Sequence, residues 1–140
     1  MKNKFLLLTF LGLLYSCEQE GSLTGDVPSA MIDEQTSMLK KQGVFAPTSS
    51  ITVNGGVKIF SENSEYKLRL VDFSISNGPD LKVYLSKSNT PTEFVNLGNL
   101  NASTVYVLPK GIDLKQYPFV LIHCQQYNHL FAVAELTPNE

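Results

Sequence analysis

From Gly43 onward, apolar and polar residues alternate with a period of two, the pattern of strands that bury one face. Ile51 and Val53, then Val57 and Ile59, flank Asn54-Gly55, a dipeptide that favours a tight hairpin, so a turn is expected there. Tyr66, Leu68 and Leu70 alternate with Lys67 and Arg69, and Phe73 and Ile75 continue after a bulge expected near Val71-Asp72. Ser76-Asn77-Gly78-Pro79 is a turn cluster. Leu81, Val83 and Leu85 form the next strand, closed by Ser86 to Pro91. Phe94, Leu97 and Leu100 follow, broken by Gly98, and Val105 and Val107 lead to a turn at Pro109-Lys110-Gly111. Phe119 to Cys124 and Leu130 to Leu136 end the series, joined across Gln125 to His129. Phe119 to Ile122 is apolar on both faces and reads as a central strand, whereas Tyr66 to Leu70 should face water on one side. Seven or eight short strands with turn signals roughly every 8–12 residues predict an all-β fold, an antiparallel β-sandwich.

The first part of the chain has a different pattern. Met31, Ile32, Gln35, Met38 and Leu39 recur at helical spacing, with Ser29 placed to cap them, so a short helix packed on the domain is expected. Its two methionines read as core filling rather than as metal ligands. Residues 18–27 are polar and Gly-rich and read as a tether, with acids at Glu18, Glu20 and Asp26. Upstream, Lys2 and Lys4 precede an apolar run from Phe5 to Leu14. That run falls short of the roughly 18–20 residues a spanning helix needs and has the parts of a secretory signal. Leu14-Tyr15-Ser16-Cys17 resembles the lipobox read by lipoprotein signal peptidase. The expected organisation is therefore a signal peptide over residues 1–16 and a lipidated linker over residues 17–41, with lipid on Cys17. A β-domain over residues 42–140 follows. A membrane partner is expected through the anchor, and the domain should lie outside the cytoplasm in the cell envelope, at the outer membrane or cell surface.

Cleavage before Cys17 would leave 124 of the 140 residues and remove Lys2 and Lys4. Nine Lys and Arg then stand against thirteen Asp and Glu, four negative charges in excess. That balance argues against nucleic acid, whose binding is led by clustered Lys and Arg. Of two cysteines one is expected to carry lipid, so Cys124 has no partner for an internal disulfide. There is no nucleophile elbow, phosphate loop, paired-cysteine metal site or His-Glu-x-x-His helix, and no metal ligand is assigned. His123 and Cys124, adjacent in one strand, should point to opposite faces. His129 lies across the expected turn and can approach Cys124, but one Cys and one His fall short of four ligands for structural zinc. Both histidines read as surface or packing residues. Asp80, after Gly78-Pro79, reads most simply as an acceptor of turn or strand-end N–H bonds. Cys124 should share a face with Val120 and Ile122, at the rim of the core.

Several blocks occur in a characteristic order. They are Asn77-Gly78-Pro79-Asp80-Leu81-x-Val83-Tyr84-Leu85-Ser86, Leu97-Gly98-x-Leu100, Tyr106-x-Leu108-Pro109, Tyr117-x-x-Val120-x-Ile122-x-Cys124 and Phe131-x-x-Ala134-x-Leu136. Together, over Gly43 to Thr137, they resemble the DM-thirteen domain, a β-sandwich relative of DOMON domains. The resemblance implies an electron-transfer or redox module with Cys124 as its thiol. It also implies an accessory of a redox or envelope partner rather than an autonomous enzyme. Haem or a redox metal is raised by the DOMON kinship, without clear ligands in this chain. The family's Trp before the cysteine is replaced here by His123. Two readings compete with this: a non-catalytic module that binds a protein or glycan, with Cys124 as core packing, and a structural accessory of an envelope complex; free cysteine is among the most buried residue types.

Overall fold

A computed structural model describes residues 31–139. The strands are β1 (Met38–Pro47), β2 (Val53–Glu62), β3 (Glu65–Ile75), β4 (Leu81–Ser86), β5 (Phe94–Asn99), β6 (Val105–Val107), β7 (Phe119–Cys124), β8 (His129–Glu135) and β9 (Thr137–Pro138). The helical content among the described residues is a single 3-10 turn at Leu114–Gln116. Every pairing is antiparallel, in the order β5-β4-β7-β8-β1-β2-β3-β6, with β9 beside β1. The all-β sandwich expected from the alternation is the fold observed.

The two layers meet in β1. Met38 to Val44 pair with β2, and Phe45 to Pro47 pair with β8, so one strand belongs to both layers. The turn between layers needs close backbone approach. A Cβ on Gly43 would lie 2.4 Å from the Glu135 carbonyl oxygen, and one on Gly56 would lie 2.4 Å from the Gly43 carbonyl oxygen. Between the layers lies a core that includes Val57, Ile59, Leu68, Leu70, Val83, Leu85, Val120, Ile122 and Cys124. Tyr106 bridges the two sheet edges from β6. Its buried hydroxyl donates to the Asn99 carbonyl at 2.6 Å and accepts the Asn101 N–H at 2.9 Å.

Two local expectations fail. The helix expected before the domain is absent over its described part: Glu34 to Thr36 form a turn and β1 begins at Met38. The Glu62 carboxylate accepts both the Asp33 N–H at 3.1 Å and the Thr36 hydroxyl at 3.2 Å, and Lys67 Nζ binds Glu62 and the Met31 carbonyl. Capture by these partners, together with pairing of β1 to β2, outweighs a weak helical period. Met31 and Met38, expected in the core, are 79 % and 62 % exposed. Ser29 and the lipobox lie outside the described residues. The hairpin expected at Asn54-Gly55 is also displaced. β2 runs through that dipeptide, where Gly55 (φ 89°) sits at a register shift opposite the bulge at Asp72 (φ 47°). The bulge near Val71-Asp72 was expected. The true turn is Asn63-Ser64, with φ of 49° and 66°, as a two-residue type I′ turn requires.

Candidate functional site

Cys124 ends β7, which lies between β4 and β8, the central position that the apolar run Phe119 to Ile122 predicts. It packs with Val120 and Ile122 on the core face and is 0 % exposed. Its cross-strand partners are Leu81 on β4 and His129 on β8. Directly opposed residues in a ladder present their side chains on the same face, so Leu81 and His129 flank the thiol on either side. His129 meets Phe131 edge to face, with ring centroids 5.4 Å apart.

Forty-odd residues earlier in the chain, Gly78-Pro79-Asp80 arrives at the same end of the sandwich. The Gln125 N–H donates to the Asp80 carbonyl at 3.0 Å, tying the end of β7 to this turn. A Cβ on Gly78 would stand 2.8 Å from Leu81 Cδ2 and 3.0 Å from Phe131 Cζ. Glycine here lets the turn close down on the two side chains beside Cys124. The Asp80 carboxylate is held differently from the expectation. It pairs with Lys82 Nζ at 2.9 Å, and its backbone oxygen, not its side chain, receives the strand-end N–H. Lys82 also donates to Asn99 Oδ1. A part-exposed pair of this kind contributes on the order of 0–1 kcal/mol, so Asp80 is a minor contributor to stability. Beside it, a hollow of about 320 Å³ is lined by Gly78, Pro79, Asp80, Leu81, Asn99 and Leu100.

His123 projects to the other face, as the period of two requires. It is 4 % exposed and packs against Tyr84, with ring centroids 5.4 Å apart; Tyr84 in turn stacks on Phe94 at 4.0 Å. Its Nε2 lies 3.2 Å from Asn128 Oδ1, while its Nδ1 is buried with no hydrogen-bond partner among the described residues. Burial lowers its pKa below the ordinary 6.5; the Asn128 contact opposes this, and the nearby His129 adds a smaller lowering. His123 thus takes the outward aromatic place on β7 as a neutral ring. Because its folded pKa is depressed, the stability it permits is complete above 6.5 and is lost as pH falls below that value. We expect the denaturation midpoint of the domain to drop on mild acidification and His123→Phe to flatten that slope. Equal slopes in both proteins would show that His123 titrates freely.

The adjacent His123 and Cys124 cannot converge on one ion, and among the described residues no group of three or more His, Cys, Asp or Glu could hold a metal. The described residues at this end therefore supply no clustered ligand set of the kind a protein-bound redox metal ion needs. A larger cleft of about 620 Å³ lies elsewhere, on the outside of the sheet corner among Gly43, Gly55 and Gly56, with Lys58, Asp72 and Glu135 at its rim. Its concavity follows from the glycine-dependent fold of the corner. Sequence reading missed both the Gly78 contact with Leu81 and Phe131 and the unpartnered Nδ1. The glycine itself was visible in the turn cluster, but its neighbours are set by pairing of distant strands.

The comparison with curated proteins and the comparison with solved structures each found no match. A family model described as Electron transfer DM13 matches residues 45–136, from the second half of β1 to the end of β8. That span contains both the Gly78-Pro79-Asp80 turn and Cys124, which the fold brings together. The chain belongs to the electron transfer DM13 family.

Proposed function

We propose that this protein is a lipid-anchored electron-transfer accessory of the cell envelope, held through Cys17 and working through the thiol of Cys124. The observation that supports it is the convergence of the Gly78-Pro79-Asp80 turn with Cys124 at one end of the sandwich, within the span matched by an electron-transfer family model. The thiolate would attack one oxygen of a hydroperoxide, breaking the O–O bond to give a sulfenic acid and the corresponding alcohol or water. A partner dithiol then condenses with the sulfenic acid, releasing water. Its second thiol displaces Cys124, so two electrons pass from partner to peroxide and the thiol is restored. The partner is a redox or envelope protein that carries the dithiol.

A thiol with no exposed surface reacts only when its cap moves. Closure by Leu81, His129 and Phe131 therefore sets the rate, and the Gly78 turn is the segment whose displacement would uncover it. The same burial favours the second reading, a binding module for a protein or glycan in which Cys124 only fills the core.

One experiment separates them. The folded protein is treated at neutral pH with a thiol probe and with mild peroxide, alongside Cys124→Ser. The redox reading expects slow but measurable modification of the native thiol under conditions where the fold persists, absent in the serine variant. A thiol silent until denaturant unfolds the chain assigns Cys124 to packing. The anchor is tested separately: metabolic fatty-acid labelling should mark the wild type and not Cys17→Ala, and an unlabelled wild type removes the lipid from the account.

A further inference from the structure

Two Asn-Gly dipeptides occur in the described chain, Asn54-Gly55 and Asn77-Gly78. An asparagine followed by glycine is prone to deamidation, because the next backbone nitrogen meets no side chain as it swings toward the carboxamide. The fold holds the two pairs in opposite ways. Asn54 is laddered to Ser74 across β2 and β3, and its Nδ2 donates to Ser74 Oγ at 3.1 Å. Gly55 is pressed against β3 so closely that its Cβ position lies 2.4 Å from the Val71 carbonyl oxygen and 2.5 Å from that of Asp72. The Ser74 hydrogen bond and the strand pairing on either side oppose the rotation that would bring the Gly55 nitrogen onto the Asn54 carboxamide. Asn77 is exposed and lies outside any strand. Among the described residues, neither its carboxamide nor the Gly78 N–H has a hydrogen-bond partner.

We propose that Asn77 is a site of spontaneous modification in the folded protein while Asn54 is protected, and that the modification loosens the cap over Cys124. The Gly78 nitrogen attacks the side-chain carbonyl carbon of Asn77 and gives up its proton. The bond to the amide nitrogen breaks, ammonia leaves, and a five-membered imide closes. Water then opens the imide at either carbonyl, leaving an aspartate, or an isoaspartate whose main chain runs through the side-chain carbon. No oxidant or reductant takes part.

Either product places a new carboxylate in the turn, and the isoaspartate also lengthens the backbone by one carbon. Gly78 lies directly against the Leu81 and Phe131 side chains, which a Cβ there would meet at 2.8 and 3.0 Å, so those side chains must give way when the turn shifts. Movement at this point passes to the side chains beside Cys124. The modification itself does not depend on the redox reading, and its effect is on access to the thiol, whatever the thiol does.

The test ages the whole chain, in detergent, at mildly alkaline pH and follows each Asn-Gly peptide by mass, alongside Asn77→Ser. In the folded protein the Asn77 peptide should acquire the mass change of amide to acid many-fold faster than the Asn54 peptide. In denaturant the two should convert at comparable rates, which shows that the difference is made by the fold. Thiol labelling of the aged wild type should then run several-fold faster than that of the equally aged Asn77→Ser protein. Equal conversion of the two peptides in the folded chain, or none at Asn77, overturns the site. Conversion with unchanged labelling overturns its link to Cys124.

Discussion

Alanine at Gly43 or Gly56 should cost the protein about 3 kcal/mol or more, the upper end of what forced overpacking does. The added carbon would meet main chain, not a yielding side chain: 2.4 Å from the Glu135 carbonyl in one case and 2.4 Å from the Gly43 carbonyl in the other. Both glycines sit where β1 leaves the β2 layer for the β8 layer. Relief therefore means pulling apart β1, which among the described residues is the one strand that belongs to both layers. The effect should show as a large fall in the denaturation midpoint or as loss of soluble protein. A variant that unfolds at the wild-type midpoint would mean that the corner opens without penalty.

Ile122→Ala should be the next most damaging change described here, at about 2–5 kcal/mol, the usual range for emptying a fully packed aliphatic site. Ile122 is wholly buried between Val120 and Cys124 on the core face of the central strand, with Val83 opposite on β4 and Ala132 opposite on β8. Ladder partners on both sides leave little room for collapse into the gap. The cavity would also border the thiol, so Cys124 in this variant should label faster than in the wild type at equal fraction folded. A midpoint shift under about 1 kcal/mol would show that the two layers can close on the space.

The strands legible in the sequence were those whose two faces differ, or whose faces are both apolar. Leu68 and Leu70 between charged neighbours, and Phe119 to Ile122 without interruption, carry their own placement. β1 was hidden because its residues carry no clean alternation: Lys40 is the extra residue of a bulge, Gly43 has no side chain, and Val44 and Ala46 are apolar yet exposed. It pairs with β2 next to it and with β8 and β9 far along the chain, and these pairings together decided its conformation. Asn54-Gly55 misled for a related reason. Gly55 does adopt a positive φ, as the dipeptide predicts, but it relieves a bulge inside a long strand, and the chain reverses at Asn63-Ser64. At the site, the face and central position of Cys124 followed from the period of two. The cap followed only in part: His129 was expected to approach Cys124, but the closing of Gly78, Leu81 and Phe131 around the thiol joins two segments far apart in the chain. The role of Asp80 was misread because a turn acid was assumed to serve the nearest backbone, while Lys82 two residues on offers a charge.

The clamp of Glu62 and Lys67 on Met31 to Thr36 gives the molecule a polarity. The chain enters the sandwich beside the β2–β3 turn, and β9 returns there, with the Asn139 N–H donating to the Lys40 carbonyl at 3.0 Å. Cys124 and the Gly78 turn stand at the other pole, beyond the far end of the ten residues of β1. Both ends of the described chain therefore serve as handles on the side away from the thiol. A tag or a fused protein joined at either end of the described chain is joined at the pole away from Cys124.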